Sequence, residues 1–79
     1  MIKYKKIYCD YFGYDISDWI GCEVCGKTAT EIHHIIFKSQ MGKDVIGNLM
    51  AICREDHDKA HNVIYTREYL QDIHDRLLY

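Results

Sequence analysis

Residues 31–36 read Glu-Ile-His-His-Ile-Ile, and this run places the adjacent histidines His33 and His34 inside an apolar segment. The β-branched residues predict a strand, which we extend over residues 28–36. Neighbouring side chains of a strand point to opposite faces of the sheet. His33 and His34 therefore cannot both be simple ligands of one ion, and one of them is free for another task.

Two further histidines, His57 and His61, lie four residues apart in a polar segment with helical spacing, residues 54–62. On a helix this spacing puts both rings on one face, within reach of one ion. His33 would complete a set of three nitrogens, and the remaining positions on the ion would be open to water and phosphate oxygens, as in a catalytic site. His34 would then take a proton from the attacking water, because an imidazole titrates near neutrality.

Asn48 lies between a polar, glycine-containing loop, residues 38–47, and a short apolar run, residues 49–52. An asparagine amide does not titrate, but it both donates and accepts hydrogen bonds. We expect Asn48 to bind the backbone of the loop that carries His34 and to hold that ring in place.

The cysteines indicate a second metal site. Cys22 and Cys25 have the two-residue spacing of a zinc-binding pair, and Cys53 begins a second half-site in which Asp56 stands where the spacing calls for a cysteine. A carboxylate matches a thiolate-rich site less well than a thiolate does. The fourth ligand is therefore open between Asp56, Cys9 and a water molecule, with Asp56 slightly favoured.

Two other interpretations use the same residues. A zinc finger of two cysteines and two histidines would take Cys22, Cys25, His57 and His61. The span between its two pairs would far exceed the usual spacing of about a dozen residues, and Cys53 would have no role. Alternatively, the cysteines bind no zinc and are small buried residues.

Length and charge limit the function. A chain of 79 residues forms one domain with a small core, and such domains usually need a metal, a disulfide or a partner subunit for stability. The formal net charge of −2 argues against tight, non-specific DNA binding by the free monomer, but not against chemistry on DNA. No long apolar segment or signal peptide is present, so we expect an intracellular protein with reduced thiols and no membrane contact.

The flanking segments are predicted to cover the core. Residues 1–21 form an aromatic N-terminal arm that begins as a short strand or a loose segment, and its rings either form a lid on the core or stack unpaired bases. Thr66 is a predicted N-cap of a C-terminal helix over residues 66–79, whose apolar stripe packs on the core. We expect His74 on that helix to face solvent.

The chain resembles the HNH nuclease family in four motifs, which are Cys-Glu-Val-Cys-Gly at residues 22–26, Glu-Ile-His-His-Ile at 31–35, Gly-Asn-Leu at 47–49 and Ile-Cys-Arg-Glu-Asp-His-Asp-Lys-Ala-His at 52–61. The resemblance implies a small α+β fold: a ββα-metal (His-Me finger) core over residues 22–62, with zinc knuckles and a C-terminal covering helix, in one nuclease domain over residues 1–79. The chain departs from the family at Asp56, which interrupts the second cysteine pair, and at His33, where many members have aspartate.

The resemblance also implies the chemistry: hydrolysis of DNA phosphodiester bonds, by nicking or double-strand cleavage, with a divalent ion (Mg, Mn, Ni or Zn). Its catalytic residues would be His34 as general base, Asn48 and His57. The catalytic ion would be bound by His33, His57 and His61, and a structural zinc by Cys22, Cys25, Cys53 and Asp56. Cutting both strands together would require a homodimer or a larger protein partner, and the small size suggests a phage or mobile element. The alternative is a zinc-stabilised module that binds DNA or protein and cleaves nothing.

Overall fold

The computed structural model describes residues 2–15 and 17–79, so that Met1 and Ile16 of the predicted N-terminal arm lie outside the described residues. The elements, in chain order, are the helix α1 (Lys3–Phe12), the strands β1 (Glu31–His34) and β2 (Leu49–Ile52), and the helices α2 (Arg54–His61) and α3 (Arg67–Leu78). The strands form an antiparallel hairpin, and α2 follows β2 directly. The predicted small α+β fold, a hairpin then a helix with a C-terminal helix, is confirmed.

Strand β2 forms the middle layer of the core. All four of its side chains are fully buried, because helices cover both faces of the hairpin. Leu49 and Ala51 face the aromatic residues of α1, whereas Met50 and Ile52 face the cysteine turn and α3. The strand before it is shorter than the predicted segment 28–36, since regular pairing covers only Glu31–His34.

The N-terminal segment is a helix, so the prediction of a short strand or a loose segment is wrong. Tyr4, Ile7, Tyr8 and Phe12 recur at steps of three and four residues, which gives α1 one apolar stripe. That stripe packs on β2, and the ring of Tyr8 is almost fully buried. The helix ends at Gly13, whose φ of 74° is a left-handed conformation that glycine adopts readily.

The C-terminal helix begins as predicted, since the hydroxyl of Thr66 accepts a hydrogen bond from the backbone N–H of Tyr69 at 3.1 Å. Its residue Leu70 is buried in the core, so α3 covers the domain as expected. The prediction that His74 faces solvent is wrong, because its side chain is fully buried. His74 lies one turn after Leu70, on the same face of the helix.

Both ring nitrogens of His74 face oxygen acceptors. Nδ1 lies 2.7 Å from a carboxylate oxygen of Glu23, and Nε2 lies 2.6 Å from the carbonyl oxygen of Ile46. Both nitrogens must donate to satisfy these contacts, which is the property of a protonated imidazolium. Burial lowers the pKa of His74, but the hydrogen bonds to Glu23 and Ile46 outweigh it and raise the pKa above its ordinary value.

Glu23 connects the cysteine turn to the rest of the fold. One of its oxygens accepts hydrogen bonds from the hydroxyl of Tyr8 at 2.7 Å and from the backbone N–H of Ala51 at 2.9 Å. The other oxygen pairs with His74. A single buried carboxylate therefore contacts α1, β2 and α3.

Of the helices in the described part of the chain, none has the length and apolar character needed to cross a membrane.

We expect His74→Gln to lower the free energy of unfolding by about 3 kcal/mol at pH 6, because it leaves Glu23 without its cationic partner. The raised pKa of His74 sets the sign of the pH dependence. The ion pair stabilises the fold fully below the ordinary histidine pKa and loses its contribution as pH rises through the pKa of the folded state. Urea unfolding at pH 6 and pH 9, with zinc in excess, measures the difference between the wild type and the variant.

The control is Asp72→Asn, which removes an exposed ion pair with Arg76 on the same helix and should change stability little. A difference between wild type and His74→Gln that is the same at both pH values would contradict the buried ion pair.

Candidate functional site

A cleft of about 420 Å³ runs along β1 and is lined by both of its adjacent histidines. It lies between the first turn of α1, the loop after β1 and one face of α2. Its lining residues are Tyr4, Glu31, Ile32, His33, His34, Phe37, Lys38, Ser39, His57 and His61. The cleft therefore contains four of the five histidines in the sequence.

Three of these histidines converge. His33, His57 and His61 each offer a ring nitrogen, and these atoms lie within 4.8 Å of one another. The two Nε2 atoms of His57 and His61 are 3.0 Å apart, as the four-residue spacing on one helix predicts. Phe37 stacks on the ring of His61, with centroids 5.0 Å apart and planes 11° apart, and supports its outer side.

Behind His57 lies a carboxylate. An oxygen of Glu31 is 3.1 Å from Nδ1 of His57, and this ion-pair contact favours a proton on Nδ1, whereas Nε2 faces Nε2 of His61. Histidines that bind metals usually have an oxygen next to their second ring nitrogen. No role for Glu31 is predicted from the sequence, although its position two residues before His33 places both side chains on one face of β1.

The environment of His33 favours a neutral ring. Burial lowers the pKa of His33 to about 4, and the nearby rings of His57 and His61 act in the same direction. Its Nε2 is buried and has no hydrogen-bond partner among the described residues. An unpaired buried nitrogen is costly in a folded protein, and a metal ion bound among the three rings would satisfy it.

His34 points to the opposite face of β1, as the alternation of a strand requires. Its Nε2 lies 2.7 Å from Oδ1 of Asp44, and its ring packs edge-on against Tyr4 with centroids 4.8 Å apart. The hydrogen bond with His34 lowers the pKa of Asp44, and a contact with Lys38 contributes in the same direction. The sequence offered no signal for Asp44, which follows His34 by ten residues in a loop.

Asn48 is buried and uses its whole amide to hold the loop between the two strands. Its carbonyl oxygen accepts from the backbone N–H of Ile36 at 2.7 Å, and its Nδ2 donates to the carbonyl oxygens of Ile36 at 3.1 Å and Lys43 at 3.0 Å. These bonds anchor the chain just after His34, as the sequence analysis expected. They also anchor the residue before Asp44.

The three cysteines of the predicted zinc site lie together with Asp56 on the other side of α2. Each residue contributes one atom to a group in which all ligand atoms lie within 4.8 Å. Oδ2 of Asp56 is 3.3 Å from Sγ of Cys22 and 3.2 Å from Sγ of Cys53, and the Sγ atoms of Cys25 and Cys53 are 3.6 Å apart. This cluster could bind zinc. Cys9 lies on α1 and is not part of it.

The local backbone and one tyrosine shape this cluster. Gly26 has a φ of 81°, which lets the chain after Cys25 turn back so that the N–H of Cys22 donates to the carbonyl oxygen of Lys27. The hydroxyl of Tyr65 donates to Oδ1 of Asp56 at 3.1 Å, so Oδ2 is left to face the sulfurs. Tyr65 had no recognisable signal in the sequence, because it lies outside the cysteine motifs.

Two thiols of this cluster have raised pKa values. The nearby carboxylate of Asp56 is the main cause that raises the pKa of Cys25 to about 12, and burial is the main cause that raises the pKa of Cys53. Zinc binds thiolates, so binding must displace these protons.

We expect Cys25→Ser to lower zinc affinity about 100-fold, because it removes one ligand of the cluster. The matched control is Cys9→Ala, which changes a cysteine outside the cluster and should leave zinc affinity unchanged. Competition of each folded protein with a chromophoric chelator measures the affinities. Equal affinities of Cys25→Ser and wild type would rule out the cluster as the zinc site.

Comparison with known proteins adds one match. The family model described as HNH endonuclease matches residues 22–63, which is just over half of the chain. No curated protein and no solved structure matches.

Proposed function

The chain belongs to the HNH endonuclease family, and we propose that it is a metal-dependent endonuclease that hydrolyses phosphodiester bonds of DNA. The observation that carries this proposal is the convergence of the ring nitrogens of His33, His57 and His61 in a cleft that also contains His34. The family supplies the substrate class, and the cleft supplies groups suited to the reaction.

The first part of the proposal is that His33, His57 and His61 bind the catalytic ion. The donor set fits a divalent ion, since His33 has an unpaired buried Nε2, and the ion pair of Glu31 with Nδ1 of His57 favours a lone pair on Nε2 of that ring. The Nε2 atoms of His57 and His61 are 3.0 Å apart, so one ion could be bound by both rings.

Ligand chemistry favours a transition metal. Imidazole nitrogens suit zinc, nickel, manganese and cobalt better than magnesium, which prefers oxygen ligands. Magnesium would require that His61 does not bind, whereas the stacking of Phe37 holds that ring against the other two. We therefore expect manganese, nickel or zinc to support activity better than magnesium.

The second part concerns the reaction. The bound ion would stabilise the negative charge that develops on the phosphorane and on the leaving oxygen. His34 accepts the proton of the attacking water while the water oxygen bonds to phosphorus and the bond to the leaving oxygen breaks. Asn48 takes no part in proton transfer. It fixes the backbone on either side of the loop and so keeps His34 at its place in the cleft.

The third part concerns the remaining residues. We propose that residues 1–79 act as one nuclease domain with its core in residues 22–62, and that Cys22, Cys25, Cys53 and Asp56 bind a zinc ion that stabilises the turn before β1 and the start of α2. Helix α2 would then link the two metals, since the adjacent residues Asp56 and His57 face different sites. A single catalytic site cuts one strand at a time, so nicked DNA should precede linear DNA.

We expect purified protein to nick supercoiled plasmid in the presence of manganese or nickel. His34→Ala should slow nicking about 1,000-fold, because it removes the general base, while metal affinity stays close to wild type. His57→Ala should lower both nicking and metal affinity, because it removes a ligand. Gel analysis of plasmid and calorimetric titration with the metal measure the two properties.

The control is Glu55→Gln, which changes an exposed residue of the same helix and should alter neither property. Absence of nicking by folded, metal-loaded protein would contradict the proposed activity and favour a zinc-stabilised module that binds DNA or protein. The net charge of −2 agrees with a module that binds protein, but a binding module has no need for an unpaired imidazole and a second histidine in one cleft.

A further inference from the structure

We infer that Asp44 is a positioning residue, whose carboxylate holds His34 with its proton on Nε2 and its lone pair on Nδ1. This inference rests on the proposed function, because it assigns which nitrogen of His34 accepts the proton of water. The inference starts from the contact between His34 and Asp44, which are not members of the group of three converging histidines.

The contact is short and shielded. Nε2 of His34 and Oδ1 of Asp44 are 2.7 Å apart, and the two side chains are only 12% and 17% exposed. An ionised carboxylate only accepts hydrogen bonds, so the nitrogen that faces it must carry a proton. A neutral ring has one N–H, and the lone pair is therefore on Nδ1.

The segment that carries Asp44 is fixed to the strand end that carries His34. Nδ2 of Asn48 donates to the carbonyl oxygen of Lys43, next to Asp44, and also to that of Ile36, two residues after His34. At Gly42 the chain passes so close to the carbonyl oxygen of Ile36 that a side chain could not be accommodated without a shift of the backbone. Asp44 is therefore held in position by the backbone.

The second oxygen of Asp44 has a separate partner. Nζ of Lys38 lies 3.3 Å from Oδ2, and this leaves Oδ1 for His34. The Lys38 side chain is largely exposed, whereas the histidine contact is not. The two oxygens of the carboxylate therefore each have one partner, and these contacts fix its orientation.

This arrangement has a chemical consequence. When water attacks phosphorus, one of its protons moves to Nδ1 of His34, and the ring becomes an imidazolium next to the carboxylate of Asp44. The leaving oxygen takes a proton from solvent. The fixed negative charge stabilises the imidazolium as it forms, so Asp44 acts on the rate of the chemical step through His34 and not on the binding of the ion or of DNA.

The first test is spectroscopic and needs no activity. In protein loaded with zinc, ¹⁵N-edited spectra of the His34 ring should show a proton on Nε2 that exchanges slowly with solvent. Asp44→Ala should lose this slow exchange, and Asp44→Asn should retain it in part, because the amide oxygen can still accept. A wild-type ring protonated on Nδ1 alone, or an Asp44→Ala spectrum identical to wild type, would overturn the inference.

The second test is kinetic. Asp44→Ala should lower the kcat for plasmid nicking about 10- to 100-fold, with KM and metal affinity within about twofold of wild type. Asp44→Asn should recover part of kcat, because it keeps the acceptor and loses the charge. The control is Glu55→Gln, which changes an exposed residue outside the lining of the cleft and should leave kcat close to wild type.

The outcomes separate this inference from the proposed function. A loss in Asp44→Ala that appears in KM or metal affinity, or that Asp44→Asn does not relieve, means that Asp44 only supports the loop and overturns its positioning role. If the wild type cleaves no DNA, the proposed function fails, and the exchange of the His34 proton still decides whether Asp44 fixes that ring.

Discussion

The buried carboxylate of Glu23 is the constraint on which the arrangement of the domain depends. A buried charge is strongly unfavourable unless donors surround it. Glu23 obtains these donors from Tyr8 on α1, Ala51 on β2 and His74 on α3. The three elements must therefore be in place together, and the cysteine turn that carries Glu23 is fixed to all of them. A chain of 79 residues has a small hydrophobic core, so the contacts of this one carboxylate contribute much to holding the elements together.

The functional cleft depends on the alternation of side chains along β1. On this strand His33 faces α2 and the adjacent His34 faces α1, so the same short segment contributes to the proposed metal site and carries the proposed proton acceptor. Carboxylates then distinguish the rings. Glu31 lies beside His57 and Asp44 contacts His34, whereas Nε2 of His33 is buried and has no hydrogen-bond partner among the described residues. Nε2 of His33 is therefore the nitrogen that the proposed ion would provide with a partner.

Local spacing predicted the parts of the structure that depend on nearby residues. The four-residue step from His57 to His61, the pair Cys22 and Cys25, and the N-cap Thr66 all act within one turn of chain, and the structure has each as expected. The first helix was missed for a local reason. Its apolar residues fit a broken two-residue alternation as well as steps of three and four residues, and only burial against β2 distinguishes the two.

The sequence by itself determined the family, the hairpin-then-helix order and most residues of the two clusters, because local spacing fixes which side chains lie together. It left the fourth member of the cysteine cluster open, and the structure places Asp56 there and not Cys9. Only the tertiary structure decided which partners these residues have. Asp44 reaches His34 through a loop, Tyr65 reaches Asp56 across the end of α2, and the partner of His74 lies 51 residues earlier in the chain. Such contacts arise from the packing of elements that are distant in sequence, and no local spacing encodes them.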